Sequence, residues 1–342
     1  MIPILAAVLL AATPPPVPKN VILLIADGTG PAHMTVARQA RGAEFRIGTM
    51  PVIGLMTTSC ADRNITDSAA AATALAGGVK TNYEMVGQDP AGNPLTTVLD
   101  AAEKRGKATG LVTTGYFWDA TPAGFAAHAK HRDDPGIPAQ MLAKQIEVIA
   151  GTGMQKLGKD PLPTFEALVK NSGYTAITSP AQLASANGPR LLAVFPGQDR
   201  DMDVPDAPLP LLARWAIDRL DDDPDGFFLM IEHEGTDSSS HQNHAIDLRR
   251  ALISFDEAVG VALDFAKQHG DTLVVVTGDH ETGGMRISEF KTGRFRIEWS
   301  TGDHTGTAIP IFAYGPGAAA FAGFQDNTDV GKKLIAAVLG TR

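Results

Sequence analysis

The sequence is poor in cysteine, in net positive charge and in long hydrophobic runs. Its 342 residues include one cysteine, Cys60, so the chain can form neither an intrachain disulfide nor a cysteine-rich metal cluster. The formal net charge is −9, which argues against a nucleic-acid-binding protein because such proteins present a basic face. Any metal site must therefore use histidine and carboxylate ligands, and an anionic ligand must be attracted by local positive charge.

An apolar stretch at residues 2–12 is too short to cross a bilayer as a helix, so no membrane span is predicted. Small residues and a proline-rich spacer follow it, in the order found in secretory signal peptides. No Lys or Arg precedes the stretch, which leaves a hydrophobic N-terminal arm as the alternative. We interpret residues 1–19 as a signal peptide and spacer, and we expect a periplasmic or secreted protein rather than a cytoplasmic one.

Beyond the N-terminus, apolar runs alternate with helical patterns. The predicted strands are 20–28, 107–115, 226–235, 272–281 and 308–317, and the predicted helices include 31–41 and 241–268. Continuous apolar strands separated by helices indicate a mostly parallel sheet that is covered on both faces. We therefore expect a three-layer α/β/α sandwich with a large central sheet, built as one domain over residues 20–342. The stretch at 133–221 is less regular and richer in proline.

Acidic and histidine residues gather where three predicted strands end. Asp27 follows the first strand, Glu232 ends the third, and Asp279 and His280 leave the fourth. Such sheets bind ligands at the carboxyl ends of their strands, so these side chains are expected to meet. A lone histidine is more often structural than a ligand, but the shared location favours a metal centre.

Two further segments add candidate ligands. Asp237 and His241 are four residues apart, which on a helix places both on one face, where they can bind one ion. His304 lies just ahead of the fifth strand, and His244 is a rival to His241. Mixed aspartate and histidine ligands suit zinc, whereas Asp, Glu and Thr oxygens suit magnesium.

The alanine-rich stretch from Thr66 to Gly78 predicts a helix that is stopped by glycine. We expect Ser68 to be its N-cap. The helix N-terminus also favours an anionic oxygen, so Ser68 is a candidate nucleophile. Arg132, downstream of Asp119, could bind two phosphate oxygens through its planar guanidinium. Without the other motifs, we would interpret Arg132 as an exposed residue at a helix end.

Together these motifs resemble the alkaline phosphatase family. The matching segments are IADGTG, TDSAAAATA with GGVKT, DATPAGFAAH leading to Arg132, GDHETGG and HTGTAIPIFAYGPG, with the Glu232, Asp237 and His241 spacing between them. They extend from Asn20 to Gly317, so the resemblance covers almost the whole chain. It implies the family's fold, a phosphomonoesterase activity on small phosphate monoesters, and two zinc ions and one magnesium ion per chain.

The resemblance also implies a role for each matching residue. Ser68 is expected to become phosphoseryl, Arg132 to bind the phosphate, and Asp67 to orient Arg132. The ligands implied are Asp237, His241 and His304 for the first zinc, Asp27, Ser68, Asp279 and His280 for the second, and Asp27, Thr121 and Glu232 for magnesium. The first zinc would hold the attacking water and the leaving-group oxygen, and Asp119 would act through a water on the magnesium.

The chain departs from the family's pattern at two places. Ser238 stands where several members carry a charged or aromatic residue near the phosphate. His304 follows His280 by only 24 positions, which leaves room for a minimal surface insertion at about 285–300. That insertion often contributes to the dimer interface, so the choice between a homodimer and a monomer stays open.

Three alternatives to a phosphomonoesterase are a phosphodiesterase or a phosphomutase of the same superfamily, and a non-catalytic metal- or phosphate-binding protein. Relatives with other substrates tend to have a different nucleophile and to lack the arginine and the magnesium ligands. The presence of Ser68, Arg132, Thr121 and Glu232 together therefore favours the monoesterase. A decayed, non-catalytic site would be expected to have lost at least one member of the ligand set.

Overall fold

The chain folds around one large sheet in the computed structural model, which describes residues 17–291 and 294–341. The predicted signal peptide, up to residue 16, lies outside the described residues. The strands are β1 (Asn20–Ala26), β2 (Val52–Thr57), β3 (Ala108–Tyr116), β4 (Val148–Thr152), β5 (Thr175–Ile177), β6 (Leu191–Phe195), β7 (Phe227–His233), β8 (Thr272–Thr277), β9 (Glu281–Thr282), β10 (Arg286–Lys291), β11 (Arg294–Glu298), β12 (His304–Thr305), β13 (Ile309–Tyr314) and β14 (Gly323–Asp326). The helices are α1 (Pro31–Arg41), α2 (Ser68–Gly77), α3 (Val98–Lys104), α4 (Ala120–Ala126), α5 (Ile137–Ala143), α6 (Phe165–Val169), α7 (Leu209–Leu220), α8 (Gly235–His241), α9 (Ala245–His269) and α10 (Asn327–Leu339).

The central sheet has ten strands in the order β14-β2-β13-β8-β1-β7-β3-β4-β6-β5. Strand β13 runs antiparallel to its neighbours β2 and β8, and the other neighbouring pairs are parallel. All five predicted strands are present within their predicted ranges or one residue beyond them. The expected α/β sandwich with a large, mostly parallel sheet is therefore confirmed.

Strand β1 shows why the sheet is covered on both faces. Side chains alternate between the two faces of a strand, and every residue of β1 is buried. Val21, Leu23 and Ile25 pack in a hydrophobic cluster with α2, α3, α4, α5 and α10. Ile22 and Leu24 pack on the opposite face, in a second cluster with α1, α7 and α9. Burial on both faces explains the continuous apolar run in the sequence.

The stretch at 133–221 is more regular than its composition indicates. It contributes β4, β5 and β6, which extend the central sheet on the side of β3, together with α5, α6 and α7. These strands span only five, three and five residues, so each is too short to show a clear period in the sequence.

The predicted helix at 241–268 is divided in the structure. Helix α8 ends at His241, and α9 begins at Ala245 after a turn in which Asn243 adopts a left-handed conformation with φ 54°. Asparagine tolerates this conformation better than most residues, so the break has a local cause. Among the described residues, no helix combines the length and the apolar character that a membrane crossing requires.

Candidate active site

The predicted site residues meet at the edge of the sheet where the parallel strands end. Asp27 follows β1, Glu232 lies near the end of β7, and Asp279 follows β8. These strands are neighbours, because β1 pairs with both β7 and β8. Each side chain is fully buried, at 0% relative exposure. The sheet therefore brings together carboxylates that are distant in the sequence.

Helix α2 presents Ser68 to this edge. Asp67, not Ser68, is the N-cap, since its carboxylate accepts hydrogen bonds from the backbone N–H groups of Ala69 and Ala70, at 3.2 Å each. The expectation that Ser68 is the N-cap is thus wrong, because the longer, charged side chain of Asp67 satisfies the free amides. The Ser68 hydroxyl is left to face the site, 3.2 Å from His280 Nε2.

The alanines of α2 allow close packing below the site. Residues 68–76 of the helix are all buried. Helix α4 crosses at Gly124, where an added Cβ would lie 2.8 Å from Ala72 Cβ and 3.1 Å from the backbone of Ala72 and of Thr73. Small residues on both helices thus bring α4, with Thr121, close to α2, with Ser68.

We expect Gly124→Ala to lower the free energy of unfolding by about 1–3 kcal/mol, because the new methyl group would meet backbone atoms that cannot rotate away. Urea unfolding measures this loss. Gly306→Ala is the control, since a Cβ there would find its nearest atom, Asn64 O, at 3.9 Å. Equal stabilities of the two variants would contradict the close approach of α2 and α4.

Asp237, His241 and His304 form one group of ligand atoms that all lie within 4.8 Å of one another. His241 Nε2 is 3.1 Å from Asp237 Oδ2 and 3.1 Å from His304 Nε2. The Nδ1 atoms of both histidines contact backbone carbonyl oxygens. His241 Nδ1 lies 2.6 Å from the carbonyl oxygen of Gly302, and His304 Nδ1 lies 2.9 Å from that of Thr66. Such contacts fix the ring orientation, so both Nε2 atoms point to the same place.

His280 is the centre of a second group. Its Nε2 lies 3.4 Å from Asp27 Oδ1 and 3.3 Å from Asp279 Oδ2, in addition to its contact with Ser68. Asp27, Asp237 and His280 again offer ligand atoms within 4.8 Å of one another. Both oxygens of Asp27 and Oδ2 of Asp279 are buried without a hydrogen-bond partner. A buried, ionised carboxylate without a hydrogen-bond partner is unfavourable, and a bound cation would stabilise it.

The third group combines Asp27, Glu232 and Glu234, whose oxygens also lie within 4.8 Å of one another. Thr121 Oγ1 and Glu232 Oε1 are buried without partners, whereas Glu232 Oε2 accepts a hydrogen bond from Thr113 Oγ1 at 2.5 Å. Sequence reasoning missed Glu234. Its spacing of two from Glu232, near the end of a strand, could have placed both on one face.

The electrostatics of this third group oppose ionisation of its carboxyls. Burial, together with the neighbouring carboxylates, raises the pKa of Asp27 and Glu234 well above their usual range. Burial raises the pKa of Glu232 to about 8. The hydrogen bond that His241 donates to the carboxylate of Asp237 raises the pKa of His241 to about 9. A divalent cation would reverse the balance for the carboxyls by favouring their charged forms.

Arg132 is held near the start of α2 by two carboxylates. Its Nη2 donates to Asp119 Oδ1 at 3.0 Å, and its Nη1 is 3.7 Å from Asp67 Oδ2. Only 26% of the side chain is exposed, so the interpretation of Arg132 as a simple exposed residue is wrong. Asp67, which the resemblance assigns to this contact, is the more distant partner. Asp119 makes the shorter contact, which the sequence did not indicate.

Two neighbouring residues clarify the ligand set. His244, the rival to His241, accepts a hydrogen bond from the backbone N–H of Asp247 at the start of α9 and lies outside the ligand groups found among the described residues. Ser238 donates to Asp201 Oδ2 at 2.7 Å.

An open cleft of about 480 Å³ leads to His241 and His304 and is lined by Arg63 and Tyr83.

Comparisons with known proteins agree with this geometry. The alkaline phosphatase family model matches residues 18–294 and 287–339. Alkaline phosphatase H of Pseudomonas aeruginosa is 32% identical, over 91% of this chain and 83% of its own length. Alkaline phosphatase 3 of Bacillus subtilis is 29% identical, over 94% of this chain and 89% of its own length. A solved structure of a mutant alkaline phosphatase from the Antarctic bacterium TAB5, with Mg bound in its M3 site, has 32% identity and a TM-score of 0.86, and the match covers 96% of this chain and 100% of that one.

The fold, the ligand groups and these relatives together define a metal-binding hydrolase. The chain belongs to the alkaline phosphatase family. The resemblance inferred from the sequence motifs is confirmed, and with it the prediction of an enzyme that hydrolyses phosphate monoesters.

Proposed function

We propose that this alkaline phosphatase acts on small phosphate monoesters through a phosphoserine on Ser68, with two zinc ions and one magnesium ion bound per chain. The position of the Ser68 hydroxyl carries the proposal. It lies at the first residue of α2, 3.2 Å from His280 Nε2, and so adjoins the ligand groups that contain Asp27 and Asp237. A helix N-terminus further favours the anionic form of the oxygen.

The donor atoms suit the metals proposed. The first zinc would be bound by Asp237, His241 and His304, the second by Asp27, Ser68, Asp279 and His280, and magnesium by Asp27, Thr121 and Glu232. Two sets mix imidazole and carboxylate, as zinc prefers, and the third offers only oxygen, as magnesium prefers. The buried oxygens of Asp27, Asp279, Glu232 and Thr121 that have no partner support bound cations at these places.

Arg132 supplies the positive charge that a phosphate dianion needs in a protein of net charge −9. The contacts with Asp119 and Asp67 hold the guanidinium before the substrate arrives, so little of its conformational freedom is lost on binding. Asp119 would act on Arg132 directly, as well as through a water on the magnesium. The phosphoryl group would lie between Arg132 and Ser68.

The chemistry at Ser68 takes two steps. The Ser68 hydroxyl loses its proton and its Oγ forms a bond to phosphorus, while the bond from phosphorus to the alcohol oxygen breaks and the alcohol leaves with a proton. A water then loses a proton as its oxygen bonds to phosphorus, the bond to Oγ breaks, Oγ takes up a proton to restore the hydroxyl, and inorganic phosphate leaves. Bound divalent ions supply Lewis acidity, which lowers the pKa of a hydroxyl or a water and stabilises the charge that develops.

Monoester and diester substrates separate this proposal from a phosphodiesterase of the same superfamily. We expect the wild-type enzyme to turn over p-nitrophenyl phosphate much faster than bis(p-nitrophenyl) phosphate, because Arg132 and the proposed cations stabilise a dianion better than a diester monoanion. Mass spectrometry of acid-quenched enzyme should find a phosphoryl group on the peptide that contains Ser68. Equal or faster diester turnover would overturn the monoesterase assignment, and phosphate on another residue would remove Ser68.

We further propose a periplasmic or secreted location, which the apolar stretch at residues 2–12 supports. The insertion at about 285–300 is short, and in the structure it forms the antiparallel pair β10 and β11. Both a homodimer and a monomer are compatible with these features.

A further inference from the structure

Glu234 occupies an unusual position at the start of α8. It is the N-cap residue of this helix, yet its side chain makes no capping hydrogen bond. Its backbone N–H instead donates to Thr114 Oγ1 at 3.0 Å, at the end of β3. The carboxylate lies with those of Asp27 and Glu232, within 4.8 Å of both.

A glycine leaves space for this side chain. Gly115 follows Thr114 in β3, and an added Cβ there would lie 3.1 Å from Glu234 Cγ and 3.2 Å from Glu234 Cβ. A larger residue at position 115 would therefore push the glutamate away from its present place. The local backbone and Gly115 together position the Glu234 side chain near the site.

Three carboxylates so close together repel one another unless a cation lies between them. The neighbouring oxygen atoms are prepared for such an ion, since both oxygens of Asp27, Oε1 of Glu232 and Oγ1 of Thr121 are buried and have no partner. Asp27 and Glu232 are 0% exposed and Thr121 is 1% exposed. Within the described part of the chain, Arg132 forms its ion pairs with Asp67 and Asp119 and not with Glu234.

We propose that Glu234 is a third carboxylate ligand of the magnesium site, beside Asp27, Glu232 and Thr121. This inference rests on the proposed function, which assigns only the other three residues to that ion. Magnesium in proteins is usually bound through one or two carboxylates and keeps several waters. A near-octahedral site with four protein oxygens would keep about two waters and would carry more negative charge, so it should bind the ion more tightly.

Mg²⁺ titration of the zinc-loaded protein tests the role of Glu234. Isothermal calorimetry would compare the wild type with Glu234→Gln, Glu232→Gln and the control Glu103→Gln, which removes a half-buried carboxylate from α3, outside the site. We expect Glu234→Gln to weaken Mg²⁺ binding by about 10-fold or more, and Glu103→Gln to leave it unchanged. Mn²⁺, which prefers similar oxygen ligands, would report the change in coordinated water by electron paramagnetic resonance.

Metal-free protein provides a readout that a merely structural role would not produce. Glu234→Gln replaces one of three crowded carboxyl groups with a neutral amide, so it should leave the melting temperature of the metal-free protein equal to or above that of the wild type while reducing the stabilisation gained from added Mg²⁺. If the role of Glu234 were purely structural, the substitution would lower the melting temperature of the metal-free protein. Glu234→Asp keeps the charge but withdraws the oxygen atoms, so it should also weaken Mg²⁺ binding. This variant replaces Glu234→Gln in the titration if Glu234→Gln fails to fold.

The comparison with Glu232→Gln distinguishes two failures. If Glu232→Gln weakens Mg²⁺ binding and both Glu234 variants bind it as the wild type does, the role of Glu234 is overturned and the proposed magnesium site stands. If Glu232→Gln also binds Mg²⁺ as the wild type does, the magnesium site of the proposed function is itself wrong.

Discussion

Ser68→Ala is expected to lower kcat/KM for p-nitrophenyl phosphate by about 10³-fold or more, which corresponds to about 4 kcal/mol of lost transition-state stabilisation. The variant loses the oxygen that would form the covalent intermediate, while Arg132 and the other proposed metal ligands stay in place. A residual rate is expected, because positioning and electrostatic stabilisation would still favour direct attack by water. Initial rates at saturating metal would measure the loss.

Ser239→Ala is the matched control for this substitution. Ser239 is also a buried serine near the site, in α8, and its hydroxyl has no hydrogen-bond partner. We expect this control to keep nearly the full rate, with a small change in stability. A Ser68→Ala enzyme as active as Ser239→Ala would show that the hydroxyl of Ser68 takes no part in the reaction.

Removal of divalent ions is expected to abolish activity and to make the free energy of unfolding fall as pH rises from 7 to 8.5. Chelated protein would retain Asp27, Glu232 and Glu234 as neighbouring buried carboxyls without a counter-charge. Each of them that still holds a proton in the folded state, where the unfolded chain has released it, should reduce the stability by about 1–2 kcal/mol over this range. Bound metals, in contrast, stabilise the folded state and require deprotonated ligands.

The sign of this pH dependence follows from the pKa of Glu232, which is about 8 in the folded chain against an ordinary value of 4.5. The folded state binds this proton more tightly, so its contribution is fully present below pH 4.5 and is lost as pH rises through 8. His241, with a pKa of about 9, changes stability in the same direction. Burial lowers the pKa of His280 below 6.5, so this residue titrates outside the range.

Thermal unfolding at pH 7.0 and 8.5, with chelator and with added Zn²⁺ and Mg²⁺, measures this effect. The chelated protein should melt at a lower temperature at the higher pH, and the gain from metals should be larger there. A melting temperature of the chelated protein that rises with pH would contradict the buried, uncompensated carboxyls.

The sequence was sufficient to predict the sheet and most of the proposed ligands because both depend on strong local patterns. The strand at 20–28 is apolar throughout and ends in Asp27, so its burial and the location of its carboxylate follow from the same segment. The spacing of Asp237 and His241 predicts their contact, which the structure places at 3.1 Å. Such short-range signals need no knowledge of the distant chain.

Features that depend on tertiary contacts could not be predicted in this way. The N-cap of α2 required a choice between two adjacent residues, Asp67 and Ser68, that both cap helices well. The contact of Arg132 with Asp119 depends on the turn between α4 and α5, which has no periodic pattern. Strands β4, β5 and β6 were missed because their three to five residues give too little signal.

The reversed direction of β13 allows the length of the chain to vary next to the site. Because β13 is antiparallel to β8, the chain that passes His280 after the end of β8 needs only to turn back to deliver His304 to the same edge. The pairing of β9 with β12, in which Thr282 lies opposite His304, holds the two ends of the intervening segment together. Evolution can therefore lengthen or shorten residues 283–303, and so alter which molecules approach the cleft, without displacing either histidine.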